Sequence, residues 1–479
     1  MIKKLLILHI DGLSYDRLLK AVKKGYMPTI KKLIDKKGYK PVRYRTGIPP
    51  TTPFAQAGIL YGDNQNIPSF TWFDKKTGVI VRFGGLSTFK KVAHKYFSGK
   101  IPLTQLGATI AACYPAGALE TFALAYNDSK SPTTTRKYAR FSVMRRWVSN
   151  PLHVINWLIY SVLLLLAYAA RALKSKAWGD EVAHKYFLTY LAQEIFLHHM
   201  TRFATVQAMK VGYPVIYSAF YAYDDAAHAF GPEHSFCNNM TSQIDQTVNY
   251  IIKNIPKESP YELLILSDHG QIPTIPFVKK RGKSLGEILS EWYPTYDISE
   301  TPGNHFEPKD HAQDGEIIIT YSGGLAHLYI RHIQGRANLS NINENFPDLI
   351  DKLRKTPEID CLLIKDYKRD LLITKDNTFL LNRKNDKQLL KYLSKFDNAE
   401  IIRKQLLRFN SFESAGDIII FGKYSKGVQI NFENQWGGHG AMGGDQLHPF
   451  LLVKKEWKMK TANLDGAHLV HKAIKDIMN

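Results

Sequence analysis

The stretch "ELLILSDHG", Glu262 to Gly270, decides how this chain is read. An apolar run without alternation stops at an adjacent aspartate and histidine. Short continuous apolar runs suit strands buried on both faces. Asp and His are poor strand residues, so a doublet closing such a run calls for a chemical reason. The pattern recurs. "KLLILHID" ends at Asp11, and "PVIYSAFYAYDD" ends at Asp224 and Asp225. "GDIIIFGKY", from Gly416, reads as a similar strand without a polar tip. Helical stretches such as "YDRLLKAVKKG" and "TSQIDQTVNYIIKNI" lie between the runs. The alternation predicts an α/β fold, a mostly parallel sheet with helices on both faces. Such sheets bind ligands beyond the carboxyl ends of their strands, which is where the polar clusters fall.

The chain has 479 residues and 44% hydrophobic content, enough for one large α/β unit with insertions or for two domains. Its 64 Lys+Arg against 43 Asp+Glu give a net charge of +21. That balance favours anionic partners: nucleic acid, phosphate-bearing substrates or acidic lipid. No basic stripe with aromatic interleaving marks a nucleic-acid module. The three cysteines, Cys113, Cys237 and Cys361, are far apart and form no C-x-x-C, so a reducing compartment fits best. The apolar run at the start ends at Asp11, too early for a signal-peptide core, and reads as a buried strand.

Asp11, Asp224 or Asp225, His228, Asp268, His269 and His439 all fall at strand ends or in glycine-rich loops. Carboxylate oxygen and imidazole nitrogen are the ligand set for Zn²⁺ or Mn²⁺. Gathered at one end of a sheet, the carboxylates would repel one another unless divalent cations balanced them. A nucleophile lies in "TGIPPTTPFAQAGILYG", which sets Thr51 and Thr52 in a Pro-rich turn opening a small-residue helix. Such a hydroxyl reads either as an N-cap or as a group placed where backbone N–H donors favour a phosphate. Metal binding would lower its pKa.

In this order the residues resemble the alkaline phosphatase superfamily, and within it the bacterial members of the type I phosphodiesterase/nucleotide pyrophosphatase branch. The carriers are Asp11, a threonine about forty residues later, Asp224-x-x-x-His228-x-x-Gly231-Pro232, "SDHG" at 267–270, and "GGHGAMGGDQLHPFLL" from Gly437. The resemblance implies an alkaline-phosphatase-like core. It implies one metal held by Asp11, Asp268, His269 and the nucleophilic threonine, and a second held by Asp224, His228 and His439. It places the nucleophile ten residues before a glycine. Gly62 then selects Thr52 over Thr51. The His-x-x-Gly-Pro tail selects Asp224 over Asp225, which becomes a neighbouring or solvated carboxylate. Two divalent ions are expected, Zn²⁺ first and Mn²⁺ as the alternative. A phosphothreonine intermediate follows by implication. Phe70 stands where nucleotide pyrophosphatases carry a phosphoryl-binding Asn, which weakens nucleotide specificity. "TTPFA" lacks the residues of a sulfatase motif.

Trp147 to Ala170 contains no Lys, Arg, Asp or Glu. Nine basic and no acidic residues lie between Lys130 and Lys176. An apolar helix with basic flanks and aromatics suits an anionic bilayer surface, and a buried core helix is the plainer alternative. Asp11 and Thr52 precede this segment and the other ligands follow it, so a single crossing would divide the site. The expectation is a monotopic insertion, a helical hairpin with "YFLTYLAQEIFLHH", or internal packing. Five segments follow: catalytic core at 1–115, 201–322 and 428–479, an insertion with the apolar helix at 116–200, and a lid at 323–427. His305 and His311 are read as loop residues bordering the site.

The expected function is hydrolysis of a membrane-associated or lipid-linked phosphoester. The enzyme would lie in the cytoplasm, peripheral or monotopic on the inner face of the cytoplasmic membrane. The alternatives are a soluble phosphomonoesterase or nucleotide pyrophosphatase, and a membrane-bound binder without catalysis.

Overall fold

The computed structural model of the chain describes residues 3–83, 88–122, 147, 151–174, 186–187, 189–301 and 316–478. His305 and His311 lie outside the described residues.

Seven strands form the main sheet: β1 (Leu5–Ile10), β2 (Tyr39–Arg43), β3 (Ala108–Ile110), β4 (Glu120–Phe122), β5 (Val215–Phe220), β6 (Glu262–Leu266) and β7 (Phe450–Lys454). Their order is β2-β7-β6-β1-β5-β3-β4. β1 pairs in parallel with β5 and with β6, and β3 pairs in parallel with β5 and β4. β7 is antiparallel to both β6 and β2. The sheet is therefore mostly parallel, as the unbroken apolar runs predict. β1 and β5 are buried at every residue, and Leu6, Leu8 and Ile10 enter one apolar cluster while Leu5 and Ile7 enter another, so both faces are covered.

The register aligns the carboxyl ends. Ile10 sits beside Phe220, and His9 beside Leu266. The Asp11 N–H donates to the Phe220 carbonyl at 3.0 Å. The polar tips of three strands thus emerge at one edge.

The run "GDIIIFGKY" has a different place from the one its composition suggests. Ile418–Gly422 lies in a second, seven-stranded sheet, antiparallel to Leu325–Ile330 on one side and Ile359–Asp366 on the other. Burial on both faces does not distinguish parallel from antiparallel neighbours. This sheet also crosses the expected boundary at residue 323. Ile317–Ser322 pairs with Leu325–Ile330 around Gly323-Gly324, with Gly323 at φ +62°. Two glycines between apolar runs form a hairpin turn that joins the segments on either side of it. The two sheets share an apolar cluster that includes Leu5 and Ile7 of β1 together with Ile318, Leu363 and Phe421.

The helix Pro151–Lys174 packs on the body through one face. Trp157 donates from Nε1 to the Ile195 carbonyl at 3.0 Å, and the Tyr190 hydroxyl donates to the Leu164 carbonyl at 3.3 Å. Tyr168 packs on Tyr190 with ring centroids 4.8 Å apart and planes tilted by 33°. Among the described residues, no helix is long and apolar enough to cross a membrane.

Candidate metal centre

Asp11, Asp224 and Asp268 follow the carboxyl ends of β1, β5 and β6. The chain leaves the sheet before each. Gly12 adopts φ +70°, and a Cβ there would fall 2.2 Å from Asp224 Oδ1, so only glycine lets the first turn approach the second. β5 stops at Phe220, earlier than its apolar pattern suggests, and a helix spans Ala222–Phe230. Asp224 and His228 therefore stand one helical turn apart on the same face, with His228 Nε2 at 3.0 Å from Asp224 Oδ2. Asp225 points differently: its Oδ2 is buried without a hydrogen-bond partner.

His439 reaches the centre from the loop after Gly437–Gly438. Its Nε2 lies 3.2 Å from His228 Nε2 and 4.0 Å from Asp224 Oδ1. His269 Nε2 lies 3.3 Å from Asp11 Oδ1 and 3.5 Å from Asp268 Oδ2. Thr52 is the first residue of the helix Thr52–Tyr61. Its Oγ1 is 3.0 Å from His269 Nε2 and 3.5 Å from Asp11 Oδ2. Thr51 precedes the helix, and its buried Oγ1 makes no hydrogen bond. The fold thus brings together Asp11, Thr52, Asp224, His228, Asp268, His269 and His439.

Among the described residues, three overlapping groups of donors could each hold a cation: Asp224 with His228 and His439, Asp11 with Asp268 and His9, and Asp11 with Asp224 and His269. The donor chemistry fits. The Nδ1 atoms of His228, His269 and His439 lie 3.0, 3.0 and 2.8 Å from the carbonyls of Gly437, Gly270 and Pro50. A carbonyl can only accept, so each Nδ1 carries the proton and each Nε2 is turned inward with a lone pair. The facing Nε2 atoms of His228 and His439 then need a cation or an added proton between them. Asp11 Oδ1 and Asp268 Oδ2 are buried without a hydrogen-bond donor.

The electrostatics agree. Burial, reinforced by Asp268 and Asp224, pushes the Asp11 carboxyl well above the usual range. Burial would raise Asp224 too, but His228, His439 and His269 outweigh it and hold Asp224 low. His228 loses from burial but gains more from Asp224, which raises it to about 9. Burial, with Asp224 beside it, pushes Asp225 up to about 7. Buried carboxylates at such close quarters are a site built for positive charge.

Around these residues lie groups that sequence reading missed. His9, fully buried in β1, sets Nε2 3.0 Å from Asp268 Oδ1. Its Nδ1 is 3.3 Å from Gln56 Nε2, and Gln56 Oε1 accepts from the Cys113 N–H at 2.7 Å. Gln271 donates to Asp224 Oδ1 at 2.6 Å. A histidine inside "LLILHI" was itself the available signal for His9, since nothing apolar explains it. Gln56 and Gln271 carry no such mark. Phe70 is half-buried and its N–H donates to Ser322 Oγ at 3.3 Å.

The fold and this centre define a member of the alkaline phosphatase superfamily. The model of the type I phosphodiesterase/nucleotide pyrophosphatase family matches residues 5–383, and the chain belongs to that family. It is an enzyme, a metal-dependent hydrolase of phosphoester bonds. Phosphonoacetate hydrolase from Sinorhizobium meliloti 1021, solved with phosphonoformate, is similar at TM-score 0.52 and 13% identity, over 98% of this chain and 96% of that one. Murine ectonucleotide pyrophosphatase/phosphodiesterase 5 is similar at TM-score 0.51 and 12% identity, over 99% and 95%. An inactive threonine-to-alanine form of the murine protein, solved with AMP, has TM-score 0.51 and 13% identity, over 100% and 95%. No curated protein matches the sequence.

Proposed function

We infer that the chain hydrolyses a phosphoester through Thr52, with two divalent ions held by the flanking ligands and a substrate carried at a membrane. Asp11, Asp268 and His269 would hold one ion with Thr52, and Asp224, His228 and His439 the other. The observation that carries the reading is the position of Thr52 Oγ1, 3.0 Å from His269 Nε2 and 3.5 Å from Asp11 Oδ2, at a helix N-terminus. The murine neighbour whose threonine-to-alanine form is described as inactive supports it. Imidazole with carboxylate favours Zn²⁺, with Mn²⁺ as the alternative.

Bound ions supply charge stabilisation for the attacking and leaving oxygens and lower the hydroxyl pKa. The chain's own residues do the rest. The Thr52 oxygen forms a bond to phosphorus while the bond from phosphorus to the leaving oxygen breaks. The hydroxyl proton ends on the departing group through solvent. Water then attacks the phosphothreonine, frees the phosphate and restores the hydroxyl. The N-terminal end of the helix Thr52–Tyr61 favours the phosphoryl group by its dipole. Carbonyl contacts at Nδ1 keep the three imidazoles aimed at the centre throughout.

Membrane presentation of the substrate is supported by the apolar segment and its basic flanks. A screen of Zn²⁺-loaded and Mn²⁺-loaded protein against chromogenic diesters, monoesters and phospholipid head-group esters tests the reading. Turnover lost in Thr52→Ala, with a phosphorylated Thr52 peptide trapped from the wild type, is expected. Undiminished turnover in Thr52→Ala would overturn it.

A further inference from the structure

The helix Pro151–Lys174 is built the wrong way round for a helix that faces water. Its inward side is aromatic and closed by Trp157, Leu164 and Tyr168. Its outward side is aliphatic. Ile155, Ile159, Val162, Leu163, Leu166 and Leu173 are each between 50% and 70% exposed. Their spacing of three and four residues keeps them on one face of the helix. A surface helix of 24 residues, about 36 Å long, ordinarily turns charge toward solvent. Here no charged residue occurs from Trp147 to Ala170. An apolar patch of this extent on a folded surface marks an interaction site.

We propose that this face docks the enzyme on an anionic phospholipid bilayer, the helix lying in the plane of the head groups with its aliphatic side down. Charge complementarity identifies the occupant. Residues 130–176 hold nine basic and no acidic side chains, with Arg171 and Lys174 in the last turns of the helix itself. Juxtamembrane clusters of this kind are drawn to anionic lipid. A protein partner fits less well. Protein interfaces concentrate Trp, Tyr and Arg at their centres. In this helix Trp157, Tyr160 and Tyr168 are wholly or partly buried, and among the residues whose side chains are described, the exposed ones are aliphatic apart from Pro151 and Asn156. Crossing is excluded by the site, because Asp11 and Thr52 precede the helix and the remaining ligands follow it on the same side. A helix held to the body by Trp157 and Tyr190 lies on the bilayer surface.

Docking of this kind rests on the proposed function, in which the substrate is carried at a membrane. Its test reads lipid binding, with hydrolysis only as a control for the fold. Full-length protein is floated with vesicles of neutral phosphatidylcholine and with vesicles containing phosphatidylglycerol, at low and high salt. The wild type is expected to float with the anionic vesicles and to be released by salt. Leu163→Glu with Leu166→Glu should reduce flotation on the order of tenfold or more, with unchanged circular dichroism and unchanged hydrolysis of a soluble chromogenic ester. No flotation of the wild type, or equal flotation of the variant, would sink the docking proposal. So would a dimer, seen by light scattering without lipid, that the double variant dissolves. Flotation without any hydrolysis leaves docking in place and removes the functional reading instead.

Discussion

At the level of single residues, the centre separates neighbours that sequence alone can scarcely tell apart. Asp224 faces His228 and His439, whereas Asp225 Oδ2 is buried without a partner. Asp224→Ala should remove one of two bound ions, measured by metal analysis of the purified protein, and abolish turnover. Asp225→Ala should keep both ions, because it deletes a carboxylate that Asp224 already repels. His9 offers a subtler case. It lies within one of the donor groups, but Gln56 Oε1 accepts from the Cys113 N–H, so Gln56 Nε2 donates to His9 Nδ1 and His9 Nε2–H faces Asp268, which makes His9 a positioning residue. His9→Ala should weaken metal binding by roughly 10- to 100-fold, the usual effect of losing an outer partner of a ligand. Chelator competition would show it, and His9→Gln should restore part of the loss. Equal affinity in wild type and His9→Ala would argue that His9 is only a core histidine.

Elements place these residues through turns and short helices. The turn after β1 passes so close to Asp224 that a methyl group at position 12 would overlap its carboxylate. Gly12→Ala is expected to lower thermal stability by on the order of 1–3 kcal/mol and to impair metal binding, because it adds both strain at positive φ and steric overlap. Calorimetry and metal titration would read the two effects separately. The helix Ala222–Phe230 shows why the motif has its spacing: four residues are one turn, so the separation of Asp224 and His228 encodes a shared face. The sequence pattern made those residues candidates, but the length of the strand before them was legible only within a few residues. Tyr221 to Tyr223 are apolar enough to extend it, and the helix begins there because tertiary packing of Ala222, Ala226 and Ala227 wins over β-propensity.

For the whole molecule, acid should be destabilising through two buried histidines that belong to none of the candidate metal groups. His327 is fully buried, with Nδ1 accepting from the Gly416 N–H and Nε2 3.3 Å from the Pro68 carbonyl. Burial, with Arg336 nearby, holds it down at about 3, and burial with Arg202 holds His198 at about 3. Both folded values lie below the ordinary histidine value of 6.5. Between the two values the unfolded chain binds more protons than the folded one, so stability is complete above about 6.5 and is lost as pH falls toward 3. Urea unfolding across pH 7 to 4 should show that decline, and His327→Gln should make it shallower. Removal of metal acts in the same direction. A chelator should lower the melting temperature, since ligands that bind only the folded chain stabilise it, and Asp224→Ala should reduce the chelator's effect.

Local sequence determined much of this protein. Apolar runs capped by Asp or Asp-His marked β1, β5 and β6 and made Asp11, Asp224, Asp225, Asp268 and His269 candidates, because burial and polarity are written in neighbouring residues; the choice of Asp224 over Asp225 and of Thr52 over Thr51 came from the resemblance to a family pattern. Tertiary structure alone decided three other matters. It put Ile418–Gly422 into an antiparallel sheet, since burial on both faces is the same signal in either direction. It brought His439 to within 3.2 Å of His228 across more than two hundred residues. And it turned the aromatic side of the helix Pro151–Lys174 inward and the aliphatic side out, a choice set by the partners that Trp157 and Tyr168 find. Local patterns record what a residue can do, whereas its partner depends on long-range packing that no window of sequence contains.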